Sequence, residues 1–293
     1  MKKTRCYLVV LLALVAVPAF SADQAPPYPS FVLEREVAIG SYTARLWVPF
    51  DPETTWEYGH GVLTLDRPGA ERITVDWVFA IDALSGTDVT GEGNPDLIFE
   101  CYSGGAHCCF STFLYDLGEE AKEIQVTPDS NCSGYFQDLD RDGVPEFLTC
   151  DDTFAYRYCP YAGSPAVEVV LRYDGDGRYV PASAKFPASY EGEIAAHTAL
   201  AEAAARGEAE DWSWDGTPKC AVLPLVLDYL YSGRTVEAWA ALDRYYLCPD
   251  KAAFRADILA ALKGSPLFAW PEGTAALVEG SYGSLAEAHL PGL

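Results

Sequence analysis

The 293-residue chain carries 43 Asp and Glu against 20 Lys and Arg, a formal net charge of −23, with 49% hydrophobic and 22% charged residues. That composition is that of a folded globular chain and excludes a disordered tail. The acidic excess argues against a nucleic-acid partner, which needs a basic face to displace counterions, and against an anionic membrane surface.

Lys2, Lys3 and Arg5 precede an apolar run from Cys6 to Val17, followed by Ala19-Phe20-Ser21. A short basic head, an apolar stretch and small residues at −3 and −1 read as a secretory signal peptide over 1–21, cleaved at about Ser21/Ala22. The run is shorter than the ~20 residues of a membrane-spanning helix, and no later segment is apolar for longer. The mature chain is therefore expected to be periplasmic or secreted, without a membrane span. Residues 22–30 form a Pro-rich lead-in.

From 31 to 185 the sequence reads as a β domain. FVLEREVAIG, SYTARLWVP, GVLTLDR, ITVDWVFAI, PDLIFECY, CFSTFLYDL, GYFQDLD, PEFLTCD and AVEVVLRYD are short, rich in β-branched and aromatic residues, and bounded by turn formers. VVLRYDGDGRYVPA carries Asp-Gly turns between two such runs and predicts a hairpin. Residues 186–293 read as a helical domain. Ala- and Glu-rich sequence follows Tyr190, and three helices are predicted over 219–233, 235–248 and 250–264. Pro224 is expected in the first turn of its helix, where a missing N–H costs least. Leu223, Val226, Leu227, Leu230, Trp239, Leu242 and Tyr246 are expected as a buried stripe.

Signal cleavage leaves eight of the nine cysteines, an even count that reads as disulfides in an exported chain. Cys220 and Cys248 stand apart in the helical region and are expected to pair. Cys101, Cys108, Cys109, Cys132, Cys150 and Cys159 cluster together with their pairing open. Tyr102-Ser-Gly-Gly-Ala-His107-Cys108-Cys109 allows structural disulfides, a vicinal Cys108–Cys109 bond, copper or zinc capture with His107 as co-ligand, or nucleophilic cysteine catalysis.

Asp138-Leu-Asp140-Arg-Asp142-Gly143-Val144-Pro-Glu146 is the sharpest local signal. Oxygen ligands at alternate positions, the Val144 carbonyl and a trailing acid suit Ca²⁺, a hard cation that takes about six to eight oxygens. Gly143 permits the sharp turn. A second copy lies upstream: Asp88-Val-Thr90-Gly-Glu92-Gly93-Asn94-Pro-Asp96, with Thr90 and Glu92 as more awkward ligands and Asn94 in the place of Val144. Twelve aligned residues imply a repeated supersecondary unit.

These segments resemble the FG-GAP/VCBS repeats of integrin-α-like propellers, in which an Asp-x-Asp-x-Asp-Gly loop binds Ca²⁺ between two strands of a blade. Asp138, Asp140, Asp142 and Glu146 match that pattern, Asp88, Glu92 and Asp96 match with substitution, and Thr90 departs from it. The layout also resembles a group of exported bacterial proteins that carry the Tyr-Ser-Gly-Gly-Ala-His-Cys-Cys segment. The expected fold class is α+β: an antiparallel β region of propeller-blade-like hairpins, then a small helical domain.

None of His60, His107, His197 and His289 sits in a nucleophile-elbow, zinc-protease or phosphate-loop pattern. His197 reads as an exposed or packed helical residue, and Asp151-Asp152 as structural. The expectation is a calcium-stabilised binding or structural module of the cell envelope, with an envelope protein or glycan as partner and without catalysis. The alternatives are an envelope hydrolase using a carboxylate pair, or a thiol- or copper-handling protein using the His-Cys-Cys segment.

Overall fold

The computed structural model describes residues 25–50, 61–105, 108–209 and 213–271. The signal segment, His60, His107 and His289 lie outside them. Among the described residues eleven strands form two antiparallel sheets, four α-helices follow, and no helix is long and apolar enough to cross a membrane.

The first sheet is a meander of seven strands in chain order: β1 (Phe31–Ile39), β2 (Tyr42–Pro49), β3 (Gly61–Asp66), β4 (Ile73–Ile81), β5 (Asp96–Tyr102), β6 (Phe110–Leu117) and β7 (Ala121–Gln125). It curls over its own face. The Tyr42 hydroxyl on β2 donates to the Gly118 carbonyl at 3.3 Å, and Arg67 donates to the Glu119 carbonyl, so the first strands reach the β6–β7 turn. Leu46, Leu63, Leu97 and Phe99 fill the resulting concavity. On β5, Ile98 points the other way into a second core, and burial on both faces explains the unbroken Leu-Ile-Phe run.

The second sheet has the order β11-β10-β9-β8, from β8 (Tyr135–Gln137), β9 (Glu146–Asp151), β10 (Val167–Tyr173) and β11 (Tyr179–Pro181). Its Phe147, Val169 and Leu171 share the second core with Ile98 and Leu114 of the large sheet and with the helices. The helices are α1 (Glu191–Ala205), α2 (Lys219–Tyr231), α3 (Thr235–Tyr245) and α4 (Lys251–Gly264). α2 is buried on nearly every side, and the whole expected stripe, Leu223 to Tyr246, is in the core. Asp151, 3% exposed, ties the layers. Its Oδ2 accepts the Tyr231 hydroxyl of α2 at 2.6 Å and the Ser265 hydroxyl beyond α4, and its Oδ1 accepts the Thr153 amide at 2.8 Å.

Three sequence expectations are corrected. Pro224 lies in the second turn of α2: the helix opens at Lys219, as expected, with the Val222 amide on the Pro218 carbonyl, and Pro224 is its sixth residue. Burial of the surrounding residues outweighs the lost hydrogen bond. β7 has no counterpart among the predicted strands; Ala-Lys-Glu-Ile-Gln is an edge strand with polar side chains, poor in β-formers. Cys220 bonds Cys159 rather than Cys248, which is free. Neighbouring residues point about 100° apart around a helix. Lys219 takes the side that faces Asp250 beyond α3, at 2.8 Å, and Cys220 faces the loop after β9.

The Cys159–Cys220 bond closes a separation of 61 residues. Cys220→Ser is expected to cost about 4 kcal/mol through loop-closure entropy. Cys248→Ser is expected to shift the thermal midpoint far less, and equal losses from the two variants would contradict the pairing.

Candidate metal centre

The loop from Asp138 to Glu146 is built by its own side chains. Asp138 Oδ1 accepts the Arg141 amide at 2.6 Å and Oδ2 accepts the Gly143 amide at 3.1 Å. Gly143 sits at φ 91° and Arg141 at φ 65°, conformations that glycine adopts freely and arginine does not. The Asp142 amide donates to Asp140 Oδ1 at 3.1 Å, and the Val144 amide to Asp142 Oδ1 at 2.9 Å. Glu146 opens β9 with no solvent exposure; its Oε2 accepts the Leu139 amide at 3.0 Å. Its Oε1 has no hydrogen-bond partner. Burial, then repulsion from Asp140, pushes this carboxyl above its ordinary range.

One ligand oxygen each from Asp138, Asp140 and Glu146 lies within 4.8 Å of the others. Two oxygens on one Ca²⁺ at about 2.3–2.6 Å can be at most ~5 Å apart, so this spacing fits the ion. Hard carboxylate donors suit Ca²⁺ over a soft metal. Asp142 is turned instead to Arg172, which also approaches Asp140 at 3.4 Å and Glu146 at 3.8 Å.

The upstream loop repeats these hydrogen bonds at equivalent positions. Asp88 Oδ1 accepts the Gly91 amide at 2.7 Å and Oδ2 the Gly93 amide at 2.8 Å. Asp96, fully buried at the start of β5, accepts the Val89 and Thr90 amides on Oδ2 at 2.8 and 3.1 Å, and its Oδ1 has no partner. Burial pushes Asp96 up to about 7. Thr90 spends its hydroxyl on Asp88 and Asp96, and Glu92 accepts the Tyr173 hydroxyl at 2.7 Å. Among the described residues the acids of this loop bring no three ligand oxygens as close together as those of the Asp138 loop.

Two residues outside the loops distinguish them, and sequence reasoning missed both. Asp96 pairs across the ladder with Asp116 of β6, a buried carboxyl raised by burial and by Glu92, with Oδ1 unpartnered. Glu146 faces Arg172 of β10 in the same register, one step beyond the Phe147–Leu171 pair. The loops also touch. A Cβ on Gly91 would come within 2.6 Å of a Val144 methyl, and the Tyr179 hydroxyl of β11 reaches the Val89 carbonyl at 3.4 Å. Only strand register brings these residues in, so loop spacing held no sign of them.

Among the described residues most cysteines of this cluster are paired. Cys108 bonds Cys109 and Cys132 bonds Cys150, which leaves Cys101 as the free thiol of the cluster. His197 on α1 is packed against Asp228 of α2, with Nδ1 2.6 Å from Oδ2, and Glu193 stands 3.9 Å from Nε2.

Comparison with known proteins gives partial matches. The chain is 40% identical over 85 residues to an uncharacterised Sinorhizobium fredii protein, y4bJ, covering 28% of this chain and 13% of that one. It is 32% identical over 79 residues to a probable thylakoid lumen protein of Synechocystis, sll0997, covering 25% of this chain and 22% of that one. The chain thus spans less than a quarter of the length of either curated relative. No family model and no solved structure matches it.

The bond to Asp228 raises the His197 pKa above its ordinary value. The folded state therefore holds a proton that the unfolded chain releases near pH 6.5, and this stabilisation is complete below that pH and lost as pH rises through the folded value. His197→Gln is expected to flatten the fall in thermal midpoint between about pH 6 and 8. A wild-type midpoint that rises over this interval, or a slope the variant keeps, would contradict the pairing.

Proposed function

We propose that the chain is an exported, disulfide-bonded module of the cell envelope whose Asp138–Glu146 loop binds calcium. Its two loop-and-strand units are read as blades of the FG-GAP/VCBS kind, side by side in open sheets. The observation that carries the reading is Glu146: a fully buried carboxylate beside Asp138 and Asp140, with one oxygen on a backbone amide and the other without a hydrogen bond, 3.8 Å from the Arg172 guanidinium. Arg172 is shared among Asp140, Asp142 and Glu146 and compensates the buried charge only in part, and a divalent cation supplies the rest. The ligands are Asp138, Asp140 and Glu146, with Asp142 and the Val144 carbonyl available from the same loop. The calcium is structural: it neutralises the clustered acids and stiffens the junction of the two sheets.

Export is supported by the signal-like N-terminal sequence, by the cysteine pairs and by the similarity to a probable thylakoid lumen protein. The module serves as a binding or structural element towards an envelope protein or glycan, without catalysis. The upstream loop, with Asp88, Thr90, Glu92, Asn94, Asp96 and the cross-strand Asp116, is the weaker second seat.

Calcium at a hundred times its dissociation constant is expected to stabilise the protein by about 2.7 kcal/mol, a rise of roughly 5–10 °C in thermal midpoint over a chelator. Asp140→Ala is expected to abolish that rise. Glu146→Gln, which keeps the shape but drops the buried charge, is expected to abolish it too while melting in chelator no lower than wild type. A melt indifferent to calcium and to chelator would leave the loop as a turn clasped by Arg172.

A further inference from the structure

The concave face of the large sheet holds a cavity of about 440 Å³, remote from the acidic loops in its chemistry. That volume lies in the range of small-molecule sites. Phe99 of β5 and Phe113 of β6 form part of its wall, stacked at 5.7 Å with an interplanar angle of 14°. Tyr102 and Trp77 line it nearer the solvent, Trp77 being 48% exposed.

β4 is distorted where it meets this cavity. Gly61 of β3 pairs with Val78 and Val62 with Asp76, so Trp77 is the extra residue of a β-bulge. Its φ is 68°, a conformation costly for a bulky aromatic residue. Gly61 makes the bulge possible, because a Cβ there would fall 2.5 Å from the Val78 carbonyl. Bulges of this kind re-aim side chains beside binding sites.

The charged residues at the cavity are all of one sign. Asp76, Glu123 and Asp129 line it, and their hydrogen-bond partners are neutral hydroxyls: Tyr28 on Asp76, Tyr115 on Glu123 and Ser111 on Asp129. Among the described residues none of the three forms an ion pair. The field is felt by the free Cys101 thiol in the same wall, pushed up to about 11 by burial, then by Glu123 and Asp129.

We propose that this cavity binds a small organic cation, an ammonium or guanidinium group on an aromatic or aliphatic body. Trp77, Tyr102 and Phe113, the last backed by the buried Phe99, take the body, and Asp76, Glu123 and Asp129 take the charge. Aromatic faces and carboxylates attract the same cationic group, by the ring quadrupole and by direct charge. A neutral ligand would gain only the walls, and an anion would be repelled.

The test is calorimetric titration of the calcium-loaded full chain with 2-phenylethylamine and benzyltrimethylammonium, against the neutral 2-phenylethanol and the anionic phenylacetate. The cations are expected to bind at least about ten-fold more tightly than the alcohol, with no binding of phenylacetate, and to weaken as salt is raised. Glu123→Gln with Asp129→Asn is expected to lower the cation affinity about ten-fold and leave the alcohol unchanged. Because these amides lie away from the Asp138 loop, a retained calcium-dependent melt shows that the variant is folded and separates this outcome from failure of the calcium reading. Equal affinity for amine and alcohol, or no binding of either cation at millimolar concentration, would overturn the proposal.

Discussion

The structure turns on two carboxylates buried at the points where a loop becomes a strand. Asp96 opens β5 and Glu146 opens β9, each without solvent exposure, and each gives one oxygen to backbone amides of the loop before it. Those amide bonds fix the loop, and the loop fixes where its strand enters the core: Ile98 and Phe147 lie two residues and one residue further on. The remaining oxygen of each carboxylate has no hydrogen-bond partner. A buried carboxylate in that state must be protonated, paired with a cation or destabilising.

The two units meet this demand differently. At Asp96 the residue across the ladder is Asp116, and both carboxyls are pushed towards their neutral forms, first by burial and then by like charge, of Asp116 on Asp96 and of Glu92 on Asp116. At Glu146 the corresponding strand brings Arg172, whose guanidinium lies among Asp140, Asp142 and Glu146. One guanidinium against four carboxylates leaves the loop acidic, which is the condition a divalent cation relieves. The loops meet at Gly91 and Val144, and Tyr173 of β10 and Tyr179 of β11 hold the upstream loop to the second sheet, so ordering either loop restrains the other.

Much of this was legible in the sequence. Alternation and turn residues marked ten of the eleven strands, and three- and four-residue spacing marked the core of α2 and α3. The Asp138 loop showed its acidic cluster because those residues are close in sequence. What escaped depended on tertiary register. Arg172 and Asp116 reach the loops only through strand pairing, β7 is held by its neighbour rather than by its own composition, and the Cys159 partner of Cys220 is set by which side of α2 faces the loop after β9. The bulge at Trp77 was equally hidden, since Gly61 and Val78 meet only across β3 and β4.

The most direct measurement is a crystal structure of the full chain grown with calcium, with anomalous scattering used to place the ion. The account predicts one strong site about 2.3–2.6 Å from oxygens of Asp138, Asp140 and Glu146, with Arg172 turned away from the cluster. A structure in millimolar calcium that keeps Arg172 on Asp140 and Asp142, with no ion beside Glu146, would contradict it.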